Sequence, residues 1–554
     1  MNLNPEFFRF DALSKFVGGF VGLFTVLVLL YSFEFMRHKR GLFSYYLYII
    51  LTLVASLGVV FSNNLILFIV FWGFLGLLLY LLIGFGEKER TPTTSKKAFI
   101  IIGGTDALIL LGLALVWQIA GTFQMDKMSI QLNTKPAVLA YLCFALGAFA
   151  KAGAMPFHTW VPDTAEDAPT PITAYLPASL DKLLGIYLLT RISMDIFQMN
   201  DAMGTFLMFI GSLTIIAAVM MALIQHDLKR LLGYHAVSQV GYMVLGIGTG
   251  NPIGIAGGLF HMVNNAVYKS CLFLSGGSVE KKAGTTDLGK LGGYAKSMPI
   301  TFVTFLIASF AISGVPPFNG FASKWMIYQG LVELGKSGSG LWIIWLLSAM
   351  FGSALTLASF MKAVHAVFLG QPSKNQKSKI KNQKLEVGTS MWIPQVLLAA
   401  LCIVFGIFVY RVPIRLFIAP SVEGLAYTGI WGASLATVLI LAGIVIGGII
   451  YLFGNISKTQ RVTDAFVGGE VLEEQADMRV SGAEFYDTIK ELSPLKGIYE
   501  AAEERKVFDI YEVGKRFTLF FTNRLSSLHT GWLYTYLSWC VLGILILLFI
   551  MVRG

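Results

Sequence analysis

Residues 146–163 read LGAFAKAGAMPFHTWVPD, so Lys151 stands among apolar residues and Pro156 follows five positions later. A lysine at the centre of a membrane-spanning helix costs roughly 2.5–3.5 kcal/mol on insertion scales. The chain places further lysines in apolar stretches at Lys182, Lys269 and Lys324. Ionisable residues inside a membrane typically belong to ion paths or proton relays, so these lysines are the first candidates for function.

The composition is that of a polytopic membrane protein. Of the 554 residues, 55% are hydrophobic and only 13% are charged, whereas soluble domains carry about 25% charged residues. The formal net charge of +10 is explained by basic cytoplasmic loops rather than by nucleic-acid binding. We expect no cleavable signal peptide, because the first apolar run (16–36) is long enough to span and the basic residues 37–40 follow it.

The sequence contains no motif for a metal or a cofactor. Its four cysteines lie singly in apolar segments, without a CxxC pair or a Cys/His cluster, and are expected to act as small hydrophobic residues. Neither a glycine-rich phosphate loop nor a dinucleotide-binding fingerprint is present. Any redox chemistry is therefore expected in partner subunits, and this chain is expected to hold no cofactor, no metal and no catalytic redox site.

Apolar runs predict an all-α fold with about fourteen membrane spans, each near the ~20 residues that a bilayer requires. The spans are predicted near 16–36, 43–62, 65–85, 98–119, 137–157, 171–192, 203–225, 230–249, 253–280, 298–320, 341–369, 390–412, 429–453 and 532–552.

Two of these spans are interrupted by prolines, at Pro156 and at Pro316-Pro317. Each interruption lies near a lysine and a tryptophan. Paired broken helices in the two halves of a chain indicate a transport site. We therefore favour two inverted repeats over two unrelated proline kinks, which are common in membrane helices.

The basic loops predict the orientation. With 37–40 inside, the basic loops 87–97, 226–230, 280–290 and 374–384 also fall on the cytoplasmic side, and both termini fall outside. The loop 158–170 is the exception, because it should be inside but carries Asp163, Glu166 and Asp167.

The polar segment 454–531 precedes the last span. From about 484 to 527, apolar residues recur at three- and four-residue spacing between charged ones, which is typical of an amphipathic helix at a membrane surface or against partner helices. Thirty residues of such a helix would run about 45 Å. The alternative is a small soluble loop domain, and the final span directly after the segment favours the surface helix.

Titratable side chains within the spans could move charge. Burial favours the neutral form of a lysine, and a nearby carboxylate favours its charged form, so a moving carboxylate can load or unload the amine. Histidine titrates near neutrality and can bridge lysines through water. His261 and Lys269 are eight residues apart and share a helix face with about 12 Å between them.

Some of these residues have simpler interpretations. Lys362 lies near the end of its span and is as easily a side chain that reaches the membrane interface. Asp106 follows Gly103-Gly104-Thr105 and is more readily interpreted as a structural hydrogen-bonding residue. Asp181 and Lys182 point about 100° apart as helix neighbours, so a mutual pair is not expected.

Five stretches together resemble the antiporter-like subunits of respiratory complex I, of energy-converting membrane-bound hydrogenases and of Mrp-type cation/proton antiporters. They are AFAKAGAMPFHTWVPDTAEDAPTPITA (148–174), QHDLKRLLGYHAVSQVGYM (225–243), GLFHMVNNAVYKSCLFLSGG (258–277), DLGKLGGYAKSMP (287–299) and SGVPPFNGFASKW (313–325). The stretch 11–32 resembles the third family helix, which implies that the first two are missing. The tail 524–539 resembles the type with a C-terminal lateral helix.

The resemblance implies a division of the chain. It gives N-terminal helices (1–62), a first antiporter-like repeat (63–225), a second repeat (226–412), an extra span (413–453), a cytoplasmic-side lateral-helix region (454–531) and a terminal span (532–554).

The resemblance also implies an ion-translocation line. Lys151 matches the lysine of the first broken helix, Lys182 that of the next helix, His261 and Lys269 the central pair, and Lys324 the exit lysine of the second broken helix. Auxiliary candidates are Asp181, Asp106, Lys229, His235 and Lys362, of which Lys229 is expected at the cytoplasmic edge.

One departure from the family concerns Lys151. The family has a glutamate after the tryptophan of an FVFWE-like helix, paired with the first lysine, whereas this chain reads NLILFIVFWGFLGLL (64–78) and has Gly73 there. Either the first half does not pump in the usual way or another acid substitutes, and Asp181 is our candidate.

The expected function is an ion-translocating (H⁺ and/or Na⁺) subunit of a redox-driven complex in a prokaryotic cell membrane. The segment 465–470 (AFVGGE) and the lateral helix favour a hydrogenase-type or ferredoxin-linked complex. Its partners would be membrane-arm subunits contacted by the lateral helix and hydrophilic redox subunits carrying iron–sulfur clusters and, in a hydrogenase, nickel–iron. The alternatives are an Mrp-type secondary antiporter subunit and a structural subunit that has lost transport.

Overall fold

The computed structural model describes residues 4–372, 385–425, 482–493 and 495–553, with isolated positions between 438 and 449. These residues are mostly helical, and they divide into two compact units, Met1–Tyr499 and Glu500–Gly554. The predicted span 429–453, the basic loop 374–384 and the segment 465–470 lie outside the fully described ranges.

The first unit contains most of the helices. They are α1 (Ala12–Phe35), α2 (Leu42–Phe61), α3 (Leu65–Ile83), α4 (Thr91–Ala120), α5 (Lys135–Ala152), α6 (Trp160–Asp167), α7 (Thr170–Tyr175), α8 (Asp181–Arg191), α9 (Asp201–Leu223), α10 (Leu228–Gly248), α11 (Pro252–Ala283), α12 (Pro299–Ser313), α13 (Asn319–Lys336) and α14 (Trp342–Val364), followed by the helix Thr389–Ile407. Two short parallel strands, Ile130–Gln131 and Phe197–Gln198, pair at one end of the unit.

The prediction of an all-α, multi-pass membrane protein is confirmed. Among the described residues, ten helices have the length and apolar composition needed to cross a membrane. Helices α10 and α11 match the predicted spans 230–249 and 253–280 but are not among those ten. They are buried along nearly their whole length and carry polar side chains into the interior. The more apolar helices around them provide the outer surface.

The two proline-interrupted spans are broken helices. In the first, α5 ends at Ala152 and α6 begins at Trp160; in the second, α12 ends at Ser313 and α13 begins at Asn319. Each first segment ends at a glycine in the left-handed region, Gly153 or Gly314, with φ of +79°. Glycine adopts this conformation without a Cβ penalty, which is why it ends helices so often. The breaks predicted from Pro156 and from Pro316-Pro317 are therefore present in both spans.

The acidic loop that departed from the basic pattern is neutralised by its neighbours. Asp163 pairs with Lys97 at 2.8 Å, Glu166 with Arg230 at 2.9 Å, and Asp167 with Arg90 at 3.0 Å. Burial alone would raise the pKa of Glu166, but its hydrogen bond to Arg230 and the surrounding cations hold that pKa below its usual range. The acids thus lie on the same side as the basic loops 87–97 and 226–230, consistent with the predicted orientation.

The tail is not one thirty-residue helix. Short helices at Asp487–Glu491 and Leu495–Tyr499 are separated from the 19-residue helix Ile510–Leu528. Lys506, with φ of 48°, has a backbone conformation that a right-handed helix cannot contain. The helix Ile510–Leu528 is amphipathic, as predicted, and runs about 28 Å. The terminal helix Leu533–Arg553 follows it within the second unit.

We expect Gly320 to be required by the second broken helix. A Cβ at this position would lie 1.8 Å from the carbonyl oxygen of Ala311, which is backbone and cannot move aside. Gly320→Ala should therefore cost about 1–3 kcal/mol, the usual range for overpacking. Gly73→Ala is the matched control, because a Cβ at Gly73 meets nothing within 4 Å. Thermal unfolding in detergent compares the two, and a wild-type midpoint for Gly320→Ala would contradict the described packing.

Candidate functional site

Lys182 binds the end of the first broken helix. From α8, its Nζ donates a 2.5 Å hydrogen bond to the carbonyl oxygen of Ala152 and lies 5.8 Å from the ring centre of Trp160. A cation is stabilised at a helix C-terminus, where unpaired carbonyls concentrate negative partial charge. A Cβ at Gly153 would lie 3.0 Å from this ammonium, so glycine at the break also leaves room for the lysine.

Lys324 has the corresponding position at the second break. Its Nζ donates to the carbonyl oxygen of Ile312 at 2.9 Å and lies 4.7 Å from the ring centre of Tyr242. Its aliphatic stem passes beside Gly314. In both halves, a buried ammonium thus binds a carbonyl at the C-terminal end of the first segment of the broken helix, which is α5 in the first half and α12 in the second. By its contacts, Lys182 rather than Lys151 is the counterpart of Lys324.

Lys151 has a different environment, because its partner is a carboxylate. It lies in the last turn of α5, and its Nζ is 3.7 Å from Oδ1 of Asp181, with both side chains almost fully buried (1% and 3% exposed). Within the described residues, this Nζ has no hydrogen-bond partner, and neither has Oδ2 of Asp181. The ring centre of Trp72 lies 5.4 Å from the ammonium. A buried ion pair without further hydrogen bonds recovers little of the free energy that desolvating its two charges costs.

A second carboxylate stands behind Trp72. The indole Nε1 of Trp72 donates to Oδ1 of Asp106 at 2.8 Å, so the tryptophan lies between Asp106 and Lys151. Asp106 therefore has the hydrogen-bonding role that its sequence context indicates. Gly73 lies on the exposed side of α3, with open space where a Cβ would be. The structure thus places Asp181 beside Lys151, in a chain that has Gly73 at the sequence position of the family glutamate.

His261 connects α11 to the second broken helix. Its Nδ1 lies 2.9 Å from Oγ of Ser323, the residue before Lys324, and its Nε2 lies 3.1 Å from Oε1 of Gln239. The hydroxyl of Tyr268 is 3.3 Å from the same Nε2. All of these side chains are buried or nearly so. The imidazole therefore has a polar partner on each nitrogen, as a relay residue requires.

Lys269 lies further along the same helix. Its Nζ donates to the carbonyl oxygen of Leu232 at 2.8 Å, and the ring of Phe360 lies 5.6 Å away. Leu232 and the His261 partner Gln239 both belong to α10, as expected for two residues on one face of α11. Asn265, between them in sequence, instead donates to the carbonyl oxygen of Ala178 at 3.3 Å.

Two of the auxiliary candidates, Lys229 and Lys362, bind carbonyls on the predicted cytoplasmic side. Lys229 donates to the carbonyl oxygen of Ala168 at 2.8 Å and lies 3.5 Å from Glu280. The sequence left open whether Lys362 only reaches the membrane interface; in the structure its side chain is fully buried within the protein. Its ammonium binds the carbonyls of Leu223 and Gln225, at 2.8 and 3.0 Å, where α9 ends.

Three polar residues of the site were not predicted. Ser323 and Gln239 hold His261, and Ser359 lies 2.7 Å from Nε2 of His235. Each is a neutral residue within an apolar helix, and neither spacing nor charge distinguishes it from an ordinary interior hydroxyl or amide. Only the approach of the helices reveals their partners.

Comparison with known proteins identifies the family. Residues 62–357 match the family model described as NADH:quinone oxidoreductase/Mrp antiporter, transmembrane. The chain belongs to this family. The matched region contains Lys151, Lys182, His261, Lys269 and Lys324, and it confirms the resemblance inferred from the sequence.

Relatives come from both branches of the family. The chain is 32% identical to a Na(+)/H(+) antiporter subunit A1 of Staphylococcus haemolyticus, over 69% of this chain and 50% of that protein. It is 33% identical to a chloroplastic NAD(P)H-quinone oxidoreductase subunit 5 of Chaetosphaeridium globosum, over 70% of this chain and 59% of that protein. The chain thus spans about half the length of the curated relatives it matches.

Solved structures share the fold. A chain of the membrane-bound sulfane sulfur reductase, an archaeal respiratory membrane complex, superposes with a TM-score of 0.78 at 23% identity and covers 97% of this chain and 87% of its own. A chain of the Mrp complex from Dietzia sp. DQ12-45-1b gives a TM-score of 0.68 at 22% identity, over 75% of this chain and 83% of its own. At these identities the likeness shows the fold alone.

Proposed function

We propose that this chain translocates protons as one subunit of a multisubunit membrane complex, in a prokaryotic cell membrane, whose other subunits supply the driving reaction. One observation carries the proposal: five titratable residues, Lys151, Lys182, Lys269, His261 and Lys324, lie buried in the interior of a membrane fold. Since each charge in such an interior is costly, their joint presence requires a use.

The first half supplies a means of loading and releasing a proton. The Asp181 carboxylate attracts a positive charge on Lys151 while the two stay within 3.7 Å, and this attraction is lost if Asp181 moves away. Asp181 and Lys182 are consecutive residues at the start of α8, directly after the π-helical turn Leu176–Leu180. π-Turns interrupt the regular hydrogen bonds of a helix and recur at functional sites. A movement of this turn would shift the contact of Asp181 with Lys151 and that of Lys182 with Ala152 together.

A redox-driven complex is our first candidate for the driving reaction. The sulfane sulfur reductase chain covers 97% of this chain, which supports an arrangement of the whole chain like that of a respiratory subunit. We propose membrane-arm subunits, contacted by the tail, and hydrophilic subunits with iron–sulfur clusters and, in a hydrogenase-type complex, nickel–iron. In that case H⁺ transport here can be combined with Na⁺ exchange elsewhere in the complex.

An Mrp-type antiporter is the second candidate, because Na(+)/H(+) antiporter subunits of Staphylococcus and of Bacillus subtilis are 31–33% identical to this chain. The subunit composition of the purified complex separates the two candidates. Iron–sulfur or nickel-binding subunits support redox driving, and a complex of membrane subunits alone supports secondary antiport.

Loss of Lys324 should abolish proton translocation. Lys324→Ala removes the titratable group that lies nearest to His261 through Ser323, and we expect proton transfer to fall by about 100-fold. Translocation by the purified complex in proteoliposomes, per turnover of its driving reaction, measures the effect. Lys336→Ala is the matched control on the same helix, because Lys336 is 69% exposed and pairs with Glu333, which is 56% exposed. Unchanged stoichiometry in Lys324→Ala would instead indicate a structural subunit.

Asp181 should modulate Lys151. Asp181→Asn keeps the size of the side chain but removes the charge, so Lys151 loses its counter-ion and transport should fall by about tenfold or more. Asp181→Glu should restore part of the rate. Asp201→Asn, at an exposed position in α9, is the charge-matched control. If Asp181→Asn transports normally while Lys151→Ala does not transport, another group substitutes for the missing glutamate.

A further inference from the structure

A second set of polar side chains leads from Lys269 toward the cytoplasmic end of the second half. It begins where α10 and α14 meet. The ring of Phe360 lies 5.6 Å from the Lys269 ammonium and its centre lies 4.7 Å from the centre of the His235 ring. His235 is three residues beyond Leu232, about one helical turn further along α10, and the Leu232 carbonyl binds Lys269.

His235 joins α10 to α14 by a hydrogen bond. Its Nε2 lies 2.7 Å from Oγ of Ser359, and both residues are fully buried. Its Nδ1 has no hydrogen-bond partner among the described residues. A histidine that only fills space in a core normally has both nitrogens satisfied. A buried imidazole with one bonded and one open nitrogen is suited to receive a proton on one side and release it on the other.

The next titratable group is Lys362, three residues beyond Ser359 and so on the same face of α14. Its ammonium binds the carbonyls of Leu223 and Gln225, which places it at the end of α9 on the predicted cytoplasmic side. Lys362 therefore stands between the buried Ser359 and the loop that begins at Gln225.

The tail segment 482–499 packs against this end of the bundle and places Asp487 beside His226 at the surface. Tyr486 donates to the carbonyl oxygen of Ala358 at 3.0 Å, and Tyr499 donates to that of Met220 at 3.2 Å, which fixes the segment across α14 and α9. Between these anchors, Asp487 lies 3.6 Å from His226, and the two side chains are 39% and 47% exposed. The charge of Asp487 also acts on Lys362.

We propose that Asp487, His226, Lys362, Ser359 and His235 form a cytoplasmic proton-entry path to Lys269. A proton from water binds the Asp487 carboxylate or the His226 imidazole and passes to the neutral amine of Lys362. The Ser359 hydroxyl accepts it there and gives its own proton to Nε2 of His235. The imidazole, which begins with its proton on Nδ1, then releases that proton to the neutral amine of Lys269. Rotation of the imidazole ring and of the Ser359 hydroxyl restores their starting states.

This path rests on the proposed function, and it differs from a purely structural account in what it requires of two residues. In a structural account, Lys362 holds the end of α9, while the Ser359 hydroxyl and the Asp487 charge are dispensable. In the entry path, both are needed for the rate of translocation. The test therefore uses Ser359 and Asp487 and leaves Lys362 intact.

The experiment measures proton translocation by the purified complex in proteoliposomes from about pH 6.5 to about pH 8.5, on both sides of neutrality, where histidine titrates. Ser359→Ala and Asp487→Asn should each lower the rate, by about tenfold where proton delivery limits it. The loss should be larger at high pH, because fewer protons are available to the surface groups. Ser359→Thr and Asp487→Glu, which retain the hydroxyl and the carboxylate, should restore the rate.

Two controls accompany these variants. Ser348→Ala removes a partly exposed hydroxyl from the same helix, and Glu87→Gln removes a 68% exposed, lysine-paired carboxylate from a basic loop of the first half. Wild-type rates at every pH in Ser359→Ala and Asp487→Asn, with transport lost in Lys324→Ala, would overturn the path and leave the proposed function standing. Failure of Ser359→Thr to restore the rate would also overturn the path, because the lower rate of Ser359→Ala would then result from altered packing and not from the missing hydroxyl. Normal transport in Lys324→Ala would overturn the proposed function itself.

Discussion

The fold depends on how it binds ammonium groups in an apolar interior. A buried cation is tolerable only with a partner that replaces water. In this chain, the partner is repeatedly a main-chain carbonyl. Lys182 and Lys324 bind carbonyls at the ends of the two broken helices, Lys362 binds those where α9 ends, and Lys269 binds the Leu232 carbonyl of α10. Breaking a helix inside the membrane exposes carbonyls, and the lysines satisfy them.

This arrangement joins structure to function, because a carbonyl binds an ammonium without adding a full negative charge. The lysine is held in place and its proton remains exchangeable with a neighbouring hydroxyl or imidazole. Lys151 is the exception, since its partner is the carboxylate of Asp181. Two lysines with different partners thus lie near the first break. Lys182 binds the neutral carbonyl of Ala152, and Lys151 faces the charged carboxylate of Asp181. The consecutive positions of Asp181 and Lys182 connect the two.

The sequence was sufficient for the broad architecture and for the titratable residues. Apolar runs locate helices well because burial in a membrane requires them, and lysines in such runs are conspicuous because they are costly. The pair of Lys151 and Asp181 was a candidate because Gly73 left the lysine without an acid. The sequence also predicted the acidic loop 158–170 on the basic side, although only the structure shows how its charges are paired.

Other features depend on tertiary packing and left no local signal. Lys362 looked like a side chain at a helix end, and only the approach of α9 shows that it is enclosed. The break in the tail depends on the backbone of Lys506, whereas the amphipathic spacing continues across it. Ser323 and Ser359 acquire their roles from the helices opposite them. Hydroxyls in apolar helices are common, so their type and spacing could not identify these two.

The central claim is that the buried amines cycle between charged and neutral forms. Arginine keeps its positive charge and hydrogen-bond donors but is not deprotonated in proteins. The most direct measurement is therefore proton translocation by the purified complex carrying Lys269→Arg, with thermal unfolding confirming that the protein remains folded. The account predicts a folded complex that does not translocate protons. Translocation at the wild-type rate would show that the positive charge at this position is sufficient and would contradict the account.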